Sequence, residues 1–191
     1  MINFIIPYHA ADAARAKTNA AAISALYPQA KVTLVADIPP LKVPQFGGQW
    51  TERWMKAATG DTIIKLDPDA RLQKTFAAPK GDVFGQVAVD GIYPVSGVIY
   101  GAAIGFTQAA IQKILASGFL RAPKYTTAPY QYKTSSGRLV SLQDPIISDI
   151  IARLGLKFAP WPGLYLGMSW RKVPRNIQHK RRTYTVFHPV R

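Results

Sequence analysis

The segment Thr62-Ile-Ile-Lys-Leu-Asp67-Pro-Asp69 constrains the fold of this chain most, because an apolar strand runs straight into two carboxylates one residue apart. The segments before it carry the same strand pattern. Asn3-Phe-Ile-Ile-Pro7 reads as a short buried strand stopped by proline, and Lys31-Val-Thr-Leu-Val-Ala-Asp37 as a second one ending in a carboxylate. Between them, residues 11–26 are alanine-rich and read as a helix that ends before Pro28. Pro39, Pro40 and Pro44 make a loop, and Gln49–Thr59 reads as a helix capped by Gly60. Such strand–helix alternation predicts one α/β domain with a mostly parallel central sheet and helices on both faces.

In sheets of this kind ligands bind beyond the carboxyl ends of the strands. Pro7, Tyr8 and His9, then Asp37, then Asp67 and Asp69 all fall at such ends. Hard divalent cations take oxygen ligands and share them with a substrate's phosphates, so the Asp67/Asp69 pair is a candidate site for Mn²⁺ or Mg²⁺. Two solvated loop aspartates are the plainer alternative. Lys65 interrupts an apolar strand, where a cation is costly to bury without an anion beside it.

Farther along, Phe84–Val89 reads as a strand, and Val98–Phe106 as an apolar stretch whose Gly101 and Gly105 allow close approach of backbone. Thr107–Ser117 reads as a helix closed by Gly118. Residues 121–140 read as a long polar loop bearing Lys124, Lys133, Arg138 and Tyr125, Tyr130, Tyr132. Asp144 opens a helix that runs through Leu154, with Pro145 at its first position and Gly155 past its end. Leu156–Trp161 reads as another strand. Trp50, Trp54, Trp161 and Trp170 are either core residues or open platforms for a ligand ring.

Charge narrows the partners. The net charge is +14, and nine lysines and arginines follow Asp149 with no acidic residue among them. One-sided charge points to a polyanion: nucleic acid, an anionic membrane or an acidic glycan. There is no cysteine, which excludes disulfides and thiolate chemistry. With no signal-like N-terminus and no apolar run long enough to span a bilayer, the sequence predicts a cytoplasmic protein.

The order of these pieces over residues 2–160 resembles the GT-A glycosyltransferases, and in pattern the β-1,3-galactosyltransferase-like group. Ile63-Ile-Lys-Leu-Asp-Pro-Asp69 resembles its strand and DxD motif, with Pro68 in place of a middle aspartate. Tyr100-Gly-Ala-Ala-Ile-Gly-Phe-Thr107 resembles its glycine-containing acceptor strand. Leu142-Gln-Asp-Pro-Ile-Ile-Ser-Asp-Ile-Ile-Ala-Arg-Leu-Gly155 resembles its acidic helix, with Gln143 where the group has glutamate.

The resemblance implies a metal-dependent transfer of a sugar from a nucleotide diphosphate, UDP by preference, to a hydroxyl. Residues 1–70 would form the nucleotide-sugar half and 84–160 the acceptor and catalytic half, with a basic-aromatic loop at 121–140 and a basic tail at 170–191. It implies Asp67 and Asp69 as metal ligands, with the late His188 as a third. Asp144 becomes the general base, against the alternative of a plain helix cap, and the transfer inverts the anomeric centre. Pro7, Tyr8, His9, Asp37 and Asp67 would hold base and ribose, and Arg53 and Lys65 the phosphates. The acceptor suggested by the charge is a hydroxymethylated base in DNA; a cell-surface or lipid-linked glycan is the rival. A nucleotidyltransferase and a non-enzymatic nucleic-acid-binding protein are the competing classes.

Overall fold

The computed structural model describes residues 1–37, 46–87, 97–127, 129–133, 139–166 and 186–188. Strand β1 spans Ile2–Tyr8, helix α1 Ala13–Leu26, β2 Lys31–Ala36, α2 Phe46–Ala57, β3 Thr62–Leu66 and β4 Arg71–Leu72. After them come β5 (Val83–Gly85), β6 (Ala103–Thr107), α3 (Gln108–Ala116), β7 (Gln131–Lys133) and β8 (Leu139–Ser141). The last described elements are α4 (Gln143–Arg153), β9 (Phe158–Pro160), β10 (Leu164–Leu166) and β11 (Val186–His188).

The main sheet has the order β2-β1-β3-β6-β5-β9. Strand β6 is antiparallel to both neighbours, and the remaining pairings are parallel. The result is the single α/β domain with a mostly parallel sheet that the strand–helix alternation predicts. Side chains alternate across the pleat. Phe4, Ile6, Ile64 and Leu66 therefore pack with Ala16 and Ile23 of α1 on one face. Ile5 and Ile63 pack on the other with Trp54 of α2, Ile111 of α3 and Ile147 of α4. By the same parity Lys65, two residues after Ile63, is sent to the α2–α4 face.

Several boundaries differ from expectation. Strand β1 continues through Pro7 to Tyr8. Its pairing with β3 ends at Ile5, so the absent N–H of Pro7 lies past the stretch flanked on both sides. Helix α2 begins at Phe46, three residues before Gln49. The 121–140 segment is not one loop. A 3-10 turn at Phe119–Arg121 leads into it, and it contains another at Pro123–Thr126 and the antiparallel β7–β8 pair. Asp149 of α4 anchors this segment: it accepts from Lys124, from the Tyr125 hydroxyl at 2.5 Å and from Arg153 at 2.9 Å. Burial pushes the Asp149 carboxyl up, but these three donors outweigh it and hold the group below the usual carboxylate range. Among the described residues no helix is long and apolar enough to cross a membrane.

Glycine 105 shows how tightly the sheet is covered. Across the β5–β6 pair it faces Phe84, and a Cβ built on it would stand 2.0 Å from the ring. Phe84 is itself 1% exposed and packed edge-on against Trp161, so the ring has no room to withdraw. Gly105→Ala is expected to lower unfolding free energy by about 1–3 kcal/mol, the usual cost of overpacking. A urea titration measures it, and an unchanged midpoint would show that Phe84 moves freely.

Candidate active site at the strand ends

The site is built where β1, β2 and β3 end on one edge. Asp67-Pro-Asp69-Ala70 is a turn closed by the Ala70 N–H donating to the Asp67 carbonyl at 3.0 Å. Pro68 presets φ for the second position of such a turn. No described residue other than glycine has positive φ, so Asp69 at the third position makes it a type I turn and not type II. Asp69 is 8% exposed. The Asp67 side chain is 35% exposed, at the mouth of the edge.

The turn is clamped from below by Asn19, a fully buried residue of α1. Its amide donates to the Ala70 carbonyl at 2.7 Å and to the Asp67 carbonyl at 3.4 Å. A helical asparagine in an alanine-rich segment gave no such signal in the sequence. Its one legible trait is that it is the polar residue at helical spacing between Ala16 and Ile23 on the buried face.

Lys65 is 3% exposed. Its ammonium donates to Asp67 Oδ1 at 2.5 Å and to the Gly101 carbonyl. The anion partner that the buried lysine demands is thus the first aspartate of the motif. The Asp67 N–H donates in turn to the Ala102 carbonyl at 2.9 Å, so the end of β3 and the turn before β6 are tied at two points.

Asp144 of α4 packs against that turn. A Cβ on Gly101 would lie 2.2 Å from Asp144 Oδ1, so the Asp144 carboxylate rests directly on the glycine. Only glycine permits that approach. Asp144 is the second residue of α4, and Leu142 occupies the cap position with no side-chain cap hydrogen bond. Asp144 is therefore not the N-cap, and Pro145 sits two positions deeper than expected. Gln143 donates to the Thr51 hydroxyl at 2.9 Å and fastens the start of α4 to α2.

At the β1–β2 corner Asp37 is also buried. It accepts from Arg53 Nη1 at 3.1 Å and pairs with His9 Nδ1 at 3.0 Å. His9 stacks on Trp50 with ring centroids 5.6 Å apart, and the Arg53 guanidinium lies over the same indole. Pro7 and Tyr8 end β1 beside them. Arg53, proposed from sequence as a phosphate contact, has Asp37 as its anion partner. Trp50, Trp54 and Trp161 are at most 5% exposed, so they are core and offer no open face to a sugar ring; Trp170 lies outside the described residues.

Alongside α2 a groove of about 650 Å³ opens, lined by Gln49, Glu52, Arg53, Lys56, Arg121 and Tyr125 among others. Hydrogen bonding from Arg121, with Lys56 assisting, holds the Glu52 carboxyl down to about 2 against a smaller opposing push from burial.

His188 closes β11, which pairs antiparallel with β4 through Phe187↔Arg71 and Val186↔Leu72. One step further along this register stands Ala70, the residue after Asp69. The backbone of the late histidine thus comes to the DxD turn. Among the described residues no three His, Asp or Glu side chains come together as a metal cluster. The two aspartates still suit a hard cation: both are oxygen donors on one rigid turn, which leaves further coordination positions for a ligand's oxygens. The basic tail, apart from 186–188, lies outside the described residues, as do Arg138 and residues 38–45, which the sequence reads as a loop.

No protein-family model and no curated protein matches the sequence. Solved structures do match in shape. A glycosyltransferase involved in glycosylation of the major capsid of PBCV-1 superposes with a TM-score of 0.62 at 9% identity, over 98% of this chain and 91% of that one. The glycosyltransferase GlyE of Streptococcus pneumoniae TIGR4 gives 0.59 at 9% identity, covering 99% of this chain and 54% of its own. A Drosophila β-1,4-galactosyltransferase 7 mutant, in complex with manganese, UDP-Gal and xylobiose, gives 0.55 at 9% identity over 98% and 69%. At such identity the likeness is one of fold, and the chain has the GT-A glycosyltransferase fold.

Proposed function

We propose that this protein is a metal-dependent glycosyltransferase that moves a sugar from a nucleotide diphosphate, UDP by preference, to a hydroxyl acceptor with inversion. The observation that carries the reading is the contiguous path Asp67–Lys65–Gly101–Asp144. It sets a candidate metal-binding carboxylate pair and a candidate base on one edge of a glycosyltransferase fold. Asp67 and Asp69, with His188, are the residues that would hold Mn²⁺ or Mg²⁺. A bound cation would offset the charge that develops on the departing diphosphate. Asp144 takes the proton of the acceptor hydroxyl as that oxygen bonds to the anomeric carbon and the bond from this carbon to the phosphate oxygen breaks. The Asp37–Arg53–His9 corner, with Tyr8 and Pro7, holds the nucleoside. The galactosyltransferase neighbour in complex with manganese and UDP-Gal supports this donor and metal.

The acceptor we favour is a polyanion, and specifically duplex DNA bearing a hydroxymethylated base, because the net charge of +14 is concentrated after Asp149. A lipid-linked or cell-surface glycan is its rival.

A thermal-shift panel of nucleotide sugars with and without Mn²⁺ tests the donor. Ligand at ~100 times its dissociation constant adds roughly 2.7 kcal/mol, which raises the melting temperature of a domain this size by about 5–10 °C. The shift is expected with UDP-sugars and Mn²⁺ together. Release of pyrophosphate in place of UDP would assign a nucleotidyltransferase. Anisotropy titrations with hydroxymethylated duplex at several salt concentrations test the acceptor. The slope of log K against log salt is expected near −0.9 per phosphate contact. No affinity at low salt would return the charge to a membrane or glycan explanation.

A further inference from the structure

We propose, on the reading of the site just given, that Lys65 makes divalent-cation binding conditional on the donor's diphosphate, so that cation and nucleotide bind together and the cation alone binds poorly. The argument is one of charge and geometry. Asp67 and Asp69 bring two carboxylates to the turn, and Lys65 sets an ammonium 2.5 Å from Asp67 Oδ1. That ammonium cannot swing away. It is held on a second side by the Gly101 carbonyl, and the residue is 3% exposed beneath the β6 turn. A dication approaching Asp67 therefore meets a fixed like charge at short range, where burial limits screening by water and salt. Among the described residues no third acidic side chain joins the pair to offset it, and a neutral imidazole such as that of His188 would add a ligand without adding negative charge.

A nucleoside diphosphate supplies what is missing. Its phosphates bring negative charge that compensates ammonium and cation at once, and their oxygens fill the coordination positions that two carboxylates leave open. The same lysine has a structural reason to stay. It gives Asp67 a partner when no ligand is present, and it ties the end of β3 to the glycine against which Asp144 rests. The cost of that tie is repulsion of a bare cation; the gain is a site that closes around the loaded donor and not around free metal.

The experiment is Mn²⁺ binding followed by the electron paramagnetic resonance of free Mn²⁺, with and without UDP, corrected for the Mn²⁺–UDP complex in solution. Wild type, Lys65→Arg and Lys65→Met are compared. In wild type UDP is expected to tighten Mn²⁺ binding by about 100-fold, near the upper end of ordinary coupling between sites. Lys65→Arg keeps the charge and keeps the coupling. Lys65→Met fills similar space without charge; it is expected to bind Mn²⁺ alone about tenfold more tightly and to lose a matching part of the coupling. If circular dichroism shows that Lys65→Met does not fold, Lys65→Gln replaces it, since its amide can still donate to the Gly101 carbonyl. Equal Mn²⁺ affinity and equal enhancement by UDP in wild type and the neutral variant overturn this inference and leave the proposed function intact. Wild type that binds neither UDP nor Mn²⁺ under any combination overturns both.

Discussion

Asp144→Asn is expected to lower turnover by about 10²–10⁴-fold while the fold and donor binding survive. The substitution is nearly isosteric, so the amide fits against Gly101 as the carboxylate does. Its structural cost is small. Asp144 does not cap α4, and a carboxylate in the first turn contributes only ~0.3–1 kcal/mol through the helix dipole. What the amide cannot do is accept the acceptor's proton. The loss should therefore appear in kcat with little change in KM for the donor, and the limb of the pH profile that reports deprotonation of the base should disappear. Turnover of Asp144→Asn at the wild-type rate would leave the carboxylate a structural role only. Loss of donor binding as well would place Asp144 on the donor side of the site.

Much of residues 1–70 was legible in the sequence. Strand β3 spans the expected residues 62–66, and β2 ends one residue before Asp37, because an apolar run bounded by turn residues and a strand-end carboxylate are local signals. The demand of Lys65 for an anion was legible too, since burial cost depends on residue type alone. Its partner was not. Asp67 two residues on and the Gly101 carbonyl 36 residues away are equally open to a lysine until the sheet order is known. Residues 84–160 depend on such long-range pairings. Strand β6 enters antiparallel between β3 and β5, an order that no periodicity encodes. Strands β4, β10 and β11 are two or three residues each; β11 pairs with β4 some 115 positions away and with β10 22 positions away. Segment 121–140 read as a loop because its order comes from Asp149 gathering Lys124 and Tyr125, a tertiary contact. The first turn of α4 misled in another way. Aspartate before proline is the usual start of a helix, but Leu142 takes the cap position and frees Asp144 to sit against Gly101.

Removing the second carboxylate of the turn should be as damaging as removing the base, and at a different step. Asp69→Ala is expected to abolish the Mn²⁺-dependent part of UDP binding, a loss of at least about 100-fold in affinity measured calorimetrically with the metal present. Alanine accepts the type I backbone that Asp69 adopts, and the turn's own hydrogen bond and the Asn19 clamp involve backbone carbonyls of Asp67 and Ala70, so the turn should persist. The Asp37–Arg53–His9 corner is untouched, and weak binding of UDP without metal should remain equal in wild type and variant. The two binding terms thus separate: Asp69 carries the metal-dependent one and the corner the metal-independent one. Lys65 gives a further check. With Asp69 gone, Asp67 alone faces the ammonium at 2.5 Å, its charge is met within the protein, and little remains to attract a dication even when the diphosphate is present. Equal UDP affinity in wild type and Asp69→Ala, with and without Mn²⁺, would remove the metal from this turn and leave the strand-end carboxylates to bind the ribose or nothing at all.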